Sequence, residues 1–84
     1  MKVEFSNQSS KFLKRLEDNL RTRIIQKLKL LKENPIPSDA KFIRRENNEK
    51  VFRIRIGKIR VLYKIKETEK VILVSKIDKR ERVY

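Results

Sequence analysis

The sequence predicts an α+β domain in which a helical hairpin packs on one face of a small, mainly antiparallel twisted sheet, in the order β-α-α-β-β-β(-β). Three observations predict it. Apolar residues recur at helical spacing as far as Leu31 and at alternate positions beyond "PIPSDA". The alternating half is punctuated by two short turn signals, Asn47-Asn48 and Gly57-Lys58. The length, 84 residues, suffices for one modest core, so residues 1–84 read as a single domain.

Taken in order, "KVEFS" alternates Val3 and Phe5 with Lys2 and Glu4, as a short strand with one buried face does. "NQSS" offers cap residues for a first helix carrying Phe12, Leu13, Leu16 and Leu20 on one stripe. A break is expected at Glu17-Asp18-Asn19, and a second helix from about Arg21. Its inward residues are Ile24, Ile25, Leu28 and Leu31; Arg23, Gln26, Lys27, Lys29 and Lys32 face outward. It ends at Asn34-Pro35, because proline disfavours the helical conformation in the residue before it. "KFIRRE", "KVFRIRI", "IRVLYKIK" and, after "ETE", "KVILVSKI" then form an antiparallel meander. No internal repeat or low-complexity segment interrupts it.

Glycine reaches positive φ without steric cost, so Gly57 at the head of a two-residue connection suits a type II′ hairpin. That turn sets Ile56 opposite Ile59, Arg55 opposite Arg60, Ile54 opposite Val61, Arg53 opposite Leu62 and Phe52 opposite Tyr63. Phe52, Ile54, Ile56, Ile59, Val61 and Tyr63 then pack under the helices, while Arg53, Arg55, Arg60 and Lys64 project from the other face. A slip of one residue would bury the arginines, so the register is strongly specified.

Composition narrows the function. There are 24 Lys plus Arg against 11 acidic residues, a formal charge of +13, which points to a polyanionic partner. Residues 1–40 carry nine cations and five acids and residues 41–84 fifteen and six, so the excess sits on the sheet half. The chain has neither Cys nor His. That excludes disulfides, thiolate nucleophiles, zinc-thiolate sites and imidazole bases, and leaves proton transfer to Asp, Glu, Lys, Tyr or Arg. No apolar run approaches the roughly 18 to 20 residues of a membrane span, and "MKVEFSNQSS" has no signal-peptide core, so a cytoplasmic protein is expected.

The ladder of Arg53, Arg55, Arg60 and Lys64 includes no acid. Directly opposed like charges about 5 Å apart repel by ~3 kcal/mol at an effective dielectric near 20, less where long side chains splay. A solvated polar face and an anion site are both open readings; the missing counter-charge favours the anion site. "KIDKRERVY" adds Lys76, Lys79, Arg80 and Arg82 and closes on Tyr84, whose phenol could stack on a base or move a proton. Guanidinium forks suit bidentate phosphate contacts.

"FRIRIGKIRVLYKI", a hydrophobic strand and "KRERVY", preceded by a strand and a helical hairpin, resemble the RelE-type toxins of the RelE/ParE superfamily, their archaeal members above all. The likeness spans the chain in element order and is specific across Phe52 to Tyr84. It implies a ribosome-dependent endoribonuclease that cuts mRNA in the ribosomal A site without metal or cofactor, and that a RelB-like antitoxin neutralises. By position, the resemblance makes Arg53, Arg55, Arg60, Arg80 and Tyr84 catalytic, with Lys64, Lys79 and Arg82 as further RNA contacts. The chemistry the resemblance implies is attack of the message's own 2′-hydroxyl on the adjacent phosphate, with Tyr84 expected as the base, the three ladder arginines holding the phosphate and Arg80 by the leaving oxygen. Bacterial relatives often carry lysine where Arg53 and Arg55 stand, and arginine does not share lysine's capacity for proton transfer. Glu46 and Glu81 are alternative bases or salt-bridge partners. Two other functions compete: a ParE-like DNA gyrase inhibitor on the same fold, and a non-catalytic module binding RNA or ribosomes.

Overall fold

The computed structural model describes residues 1–79 of the chain. Five strands and two helices run in the order β1 (Lys2–Phe5), α1 (Asn7–Arg15), α2 (Asp18–Leu31), β2 (Lys41–Glu46), β3 (Glu49–Ile56), β4 (Ile59–Lys66) and β5 (Val71–Lys79). The sheet order is β1-β5-β4-β3-β2. β2 to β5 form the expected antiparallel meander, and β1 lies parallel to β5 at the far edge. Both helices cover one face. Leu13 of α1 and Ile24, Leu28 and Leu31 of α2 pack on Phe52, Ile54, Ile56, Ile59, Val61, Tyr63, Ile65, Ile72, Val74 and Ile77.

The β3–β4 hairpin has the register the alternation requires, from Ile56↔Ile59 to Phe52↔Tyr63. Gly57 takes φ +61° while Lys58 is not in the left-handed region, as a type II′ turn demands. At the other turn Asn47 and Asn48 both have positive φ, 52° and 66°, the pattern of type I′.

Three boundaries differ from expectation, one being the end of α2, which falls at Leu31 with Lys32 as its C-cap in place of Asn34. The first helix stops at Arg15, with Leu16 as its C-cap, and the second begins at Asp18, so Leu20 belongs to α2. Arg21 explains the earlier start. Its guanidinium donates to the carbonyls of Leu16 (2.7 Å) and Leu13 (3.2 Å), satisfying the open end of α1 from within the first turn of α2, and it also pairs with Asp18. The last strand runs from Val71 to Lys79 instead of Lys70 to Ile77; Lys70 lies in the preceding turn with φ +57°.

β5 contains the feature that sets the outer face. Its pairing with β4 shifts register between Leu62 and Tyr63: Leu62 faces Lys76 whereas Tyr63 faces Val74, leaving Ser75 as an extra residue. The bulge resets the alternation. Ile72, Val74 and then Ile77 point to the core, and Lys76 and Asp78 emerge on the face away from the helices. α1 fastens this segment through side chains near its N-terminus. The Ser6 hydroxyl donates to the Ser75 carbonyl (2.9 Å), buried Ser9 donates to Val74 (3.0 Å), and the Gln8 amide donates to the Ile77 carbonyl (2.8 Å) while accepting from its N–H (3.0 Å). Leaving both Ile77 backbone groups without Gln8 carries the penalty of unmet buried polar groups. Gln8→Ala is therefore expected to cost about 2 kcal/mol in urea unfolding, with backbone chemical-shift changes centred on residues 74–78.

Candidate functional site

The outer face consists of rows set by strand register. Arg55, Arg60 and Asp78 form one; Lys41, Arg53, Leu62 and Lys76 form the next. Arg44, Val51, Lys64 and Leu73 make a third row, and Glu46 and Glu49 stand beyond it. Val51, only 1 % exposed, is outside the main core cluster and belongs to this face, between Arg44 and Lys64 in register. The expected hairpin geometry is present: Arg53, Arg55, Arg60 and Lys64 share the face away from the helices.

The expectation that nothing offsets their repulsion is overturned. Asp78 receives two parallel bonds from Arg60, Nε to Oδ1 and Nη2 to Oδ2, each 3.2 Å, and lies 3.8 Å from Lys76 Nζ. Glu46 accepts from Lys64 (2.9 Å) and Arg44 (2.5 Å), and Glu49 pairs with Lys66 (3.4 Å). Acids from β2, β3 and β5 thus interleave with the ladder. Hydrogen bonding to Asp78, reinforced by its charge, raises the Arg60 pKa further above its ordinary value. Among the described residues Arg53 has no ion-pair partner.

Glu46, one of the alternative bases, is held in ion pairs, and Tyr63 has the core position its alternation predicts. Bonds from Lys64 and then Arg44 hold the Glu46 carboxyl below its ordinary range, so it is a weak proton acceptor and a salt-bridge partner. Tyr63 is fully buried; its hydroxyl donates to the Pro35 carbonyl at 2.7 Å, and burial first, then the Asp39 carboxylate, pushes its pKa up. It anchors the linker after α2, and its ring stacks on Phe52 at 5.8 Å. Lys79, opposite Ile59 in register, falls on the helix side of the sheet at its end, while Lys64 lies in the ladder. Arg80, Glu81, Arg82 and Tyr84 lie outside the described residues.

Asp78 is the residue that sequence reasoning missed. The signal was present: apolar positions 72, 74 and 77 break the period of two, and that break carries Asp78 to the outer face.

This sheet with its cationic ladder defines a class of protein. A family model described as "ParE toxin of type II toxin-antitoxin system, parDE" matches residues 3–84, and the chain belongs to this toxin family, as a RelE-type member. RelE1 of Methanocaldococcus jannaschii is 35% identical over 83 residues, 98% of this chain and 92% of that protein. RelE in the archaeal RelE-RelB complex from Pyrococcus horikoshii superposes with a TM-score of 0.86 at 26% identity, covering 98% of this chain and 97% of that one. The isolated Escherichia coli RelE toxin shares the fold, with a TM-score of 0.78 at 22% identity over 98% and 86% of the two chains.

The ion pairs make a pH prediction. The Glu46 and Asp39 carboxyls are held below their ordinary values of 4.5 and 3.8, Asp39 by Lys27 (2.9 Å). A carboxyl depressed in the fold contributes stability above its unfolded pKa and loses it as pH falls through the folded one. Stability is expected to drop on acidification from about pH 6 to about pH 3. In chemical denaturation at each pH, Glu46→Gln should flatten part of that acid limb and leave the neutral side level.

Proposed function

We propose that this chain is the toxin of a RelBE-type system, a ribosome-dependent endoribonuclease that stops translation by cutting mRNA in the A site. The observation that carries the reading is the placement of Arg53, Arg55 and Arg60 in adjacent rows of one sheet face, Arg55 directly opposite Arg60. Forked, permanently charged donors so arranged suit a phosphodiester whose charge grows during reaction.

The step needs no protein nucleophile. The 2′-hydroxyl of the message loses its proton to Tyr84 and its oxygen bonds to the adjacent phosphorus. The bond from phosphorus to the 5′-oxygen breaks, giving a 2′,3′-cyclic phosphate and a 5′-hydroxyl once the leaving oxygen takes up a proton. Arg53, Arg55 and Arg60 stabilise the phosphorane oxygens, and Arg80 stands by the leaving oxygen as an electrostatic partner. Lys64 and Arg82 contribute charge along the RNA, Lys64 from an ion pair with Glu46; Lys79, whose register puts it on the helix side, adds charge only from the end of the sheet. A ribosomal target places the protein in the cytoplasm. Its neutralising partner is a RelB-type antitoxin, as in the RelE-RelB complexes that share this fold. With 24 cations on the toxin, that association should weaken with added salt.

A reconstituted translation system with defined message tests the reading. Tyr84→Phe is expected to cut single-turnover cleavage at least about 100-fold, the scale of a lost general base, and Arg53→Ala to lower it as well. The ParE description of the matching family gives the gyrase reading a definite rival outcome: supercoiling inhibited and ribosome-bound mRNA intact would overturn the nuclease. Inhibition by Tyr84→Phe at full strength would show a non-catalytic binder instead.

A further inference from the structure

We propose that Asp78 is a positioning residue for Arg60, aiming the free end of its guanidinium at the scissile phosphate. The inference rests on the nuclease reading and names a residue of that site outside the motif matched to the toxins. An arginine has five N–H donors. Asp78 takes the side formed by Nε and Nη2, leaving both hydrogens of Nη1 and one of Nη2. Those remaining donors form the end fork that holds two phosphate oxygens at once.

Three features of the fold support a built arrangement. The bulge at Ser75 is what brings Asp78 beside Arg60; an unbroken period of two from Val74 would place position 78 on the core side. Gln8 ties the neighbouring Ile77 backbone by both of its groups, so the strand carrying Asp78 is fixed from the helix side. Lys76, 3.8 Å from Asp78, returns the charge that the carboxylate removes, so Arg60, Asp78 and Lys76 together remain cationic. The bidentate pair ties Arg60 to Asp78 on β5, the neighbouring strand on the side opposite Arg55 of β3. Two guanidiniums that repel are thereby set apart before the anion arrives.

Electrostatics alone and positioning make opposite predictions for Asp78→Asn. Removing a negative charge near the phosphate should strengthen RNA binding, while losing the bidentate hold should slow the chemistry. The asparagine amide presents one acceptor and one donor where Arg60 needs two acceptors. The expected result is a single-turnover rate lower by about ten- to a hundredfold, with RNA affinity unchanged or tighter in fluorescence anisotropy. In the Arg60→Lys background, Asp78→Asn should add little further loss, the mark of two residues acting as a unit.

A readout independent of cleavage accompanies these. The Arg60 Nε–H resonance in a nitrogen-15 spectrum should be protected from solvent exchange in the natural chain and lose that protection in Asp78→Asn. Cleavage by Asp78→Asn at the natural rate or faster would overturn the proposal and make Asp78 a competitor of the phosphate. An equal loss in the Arg60→Lys background, or an unprotected Arg60 Nε–H in the natural chain, would overturn it too. A natural chain with that protection intact which leaves ribosome-bound message uncut removes the nuclease reading, and the inference with it.

Discussion

Ile56 and Ile59 close the β3–β4 hairpin across Gly57-Lys58, and the period of two beyond them settles the face of every side chain on both strands. Phe52, Ile54, Val61, Tyr63 and Ile65 enter the core because this pair is in place, and the arginines leave it for the same reason. The constraint is steep. A shift of one residue would exchange a buried isoleucine row for a row of guanidinium groups, which have no partners under α2. Gly57 makes the tight connection possible with φ +61°.

On the outer face the same register lines up like charges, and the fold answers with acids drawn from three strands. Asp78 on β5, Glu46 on β2 and Glu49 on β3 each pair with a cation on β4. Partly exposed pairs of this kind contribute little to stability individually. Their main effect is geometric: they fix where long side chains point. Arg60 and Lys64 have set directions as a result, and Arg53 keeps its charge without an ion-pair partner among the described residues.

The meander was legible because its signals are local. Alternation, the Asn47-Asn48 turn and Gly57 are read within a few letters, and each corresponds to the observed strand or turn. The helix boundary was not, since the contact that sets it reaches back from Arg21 to the carbonyls of Leu13 and Leu16. The parallel seat of β1 on β5 spans most of the chain and leaves no mark in either strand alone. For the site, the shared face of the ladder arginines followed from period, whereas their counter-charges depended on a bulge at Ser75 and on a pair between Glu46 of β2 and Lys64 of β4, with β3 between them. Tyr63 was legible as a core residue from the alternation of its strand; its bond to the Pro35 carbonyl, 28 residues away, was not.

β2 is the border strand opposite β1 and bears Phe42, 54 % exposed, and Ile43 at an irregularity in the pairing. Open borders of this sort invite fibre-like stacking of identical chains. Here Lys41, Arg44 and Arg45 share the strand with Glu46, and the register shift at Ile43 interrupts the pairing, so the edge offers neither a long apolar run nor an even row of backbone groups to a stacking copy.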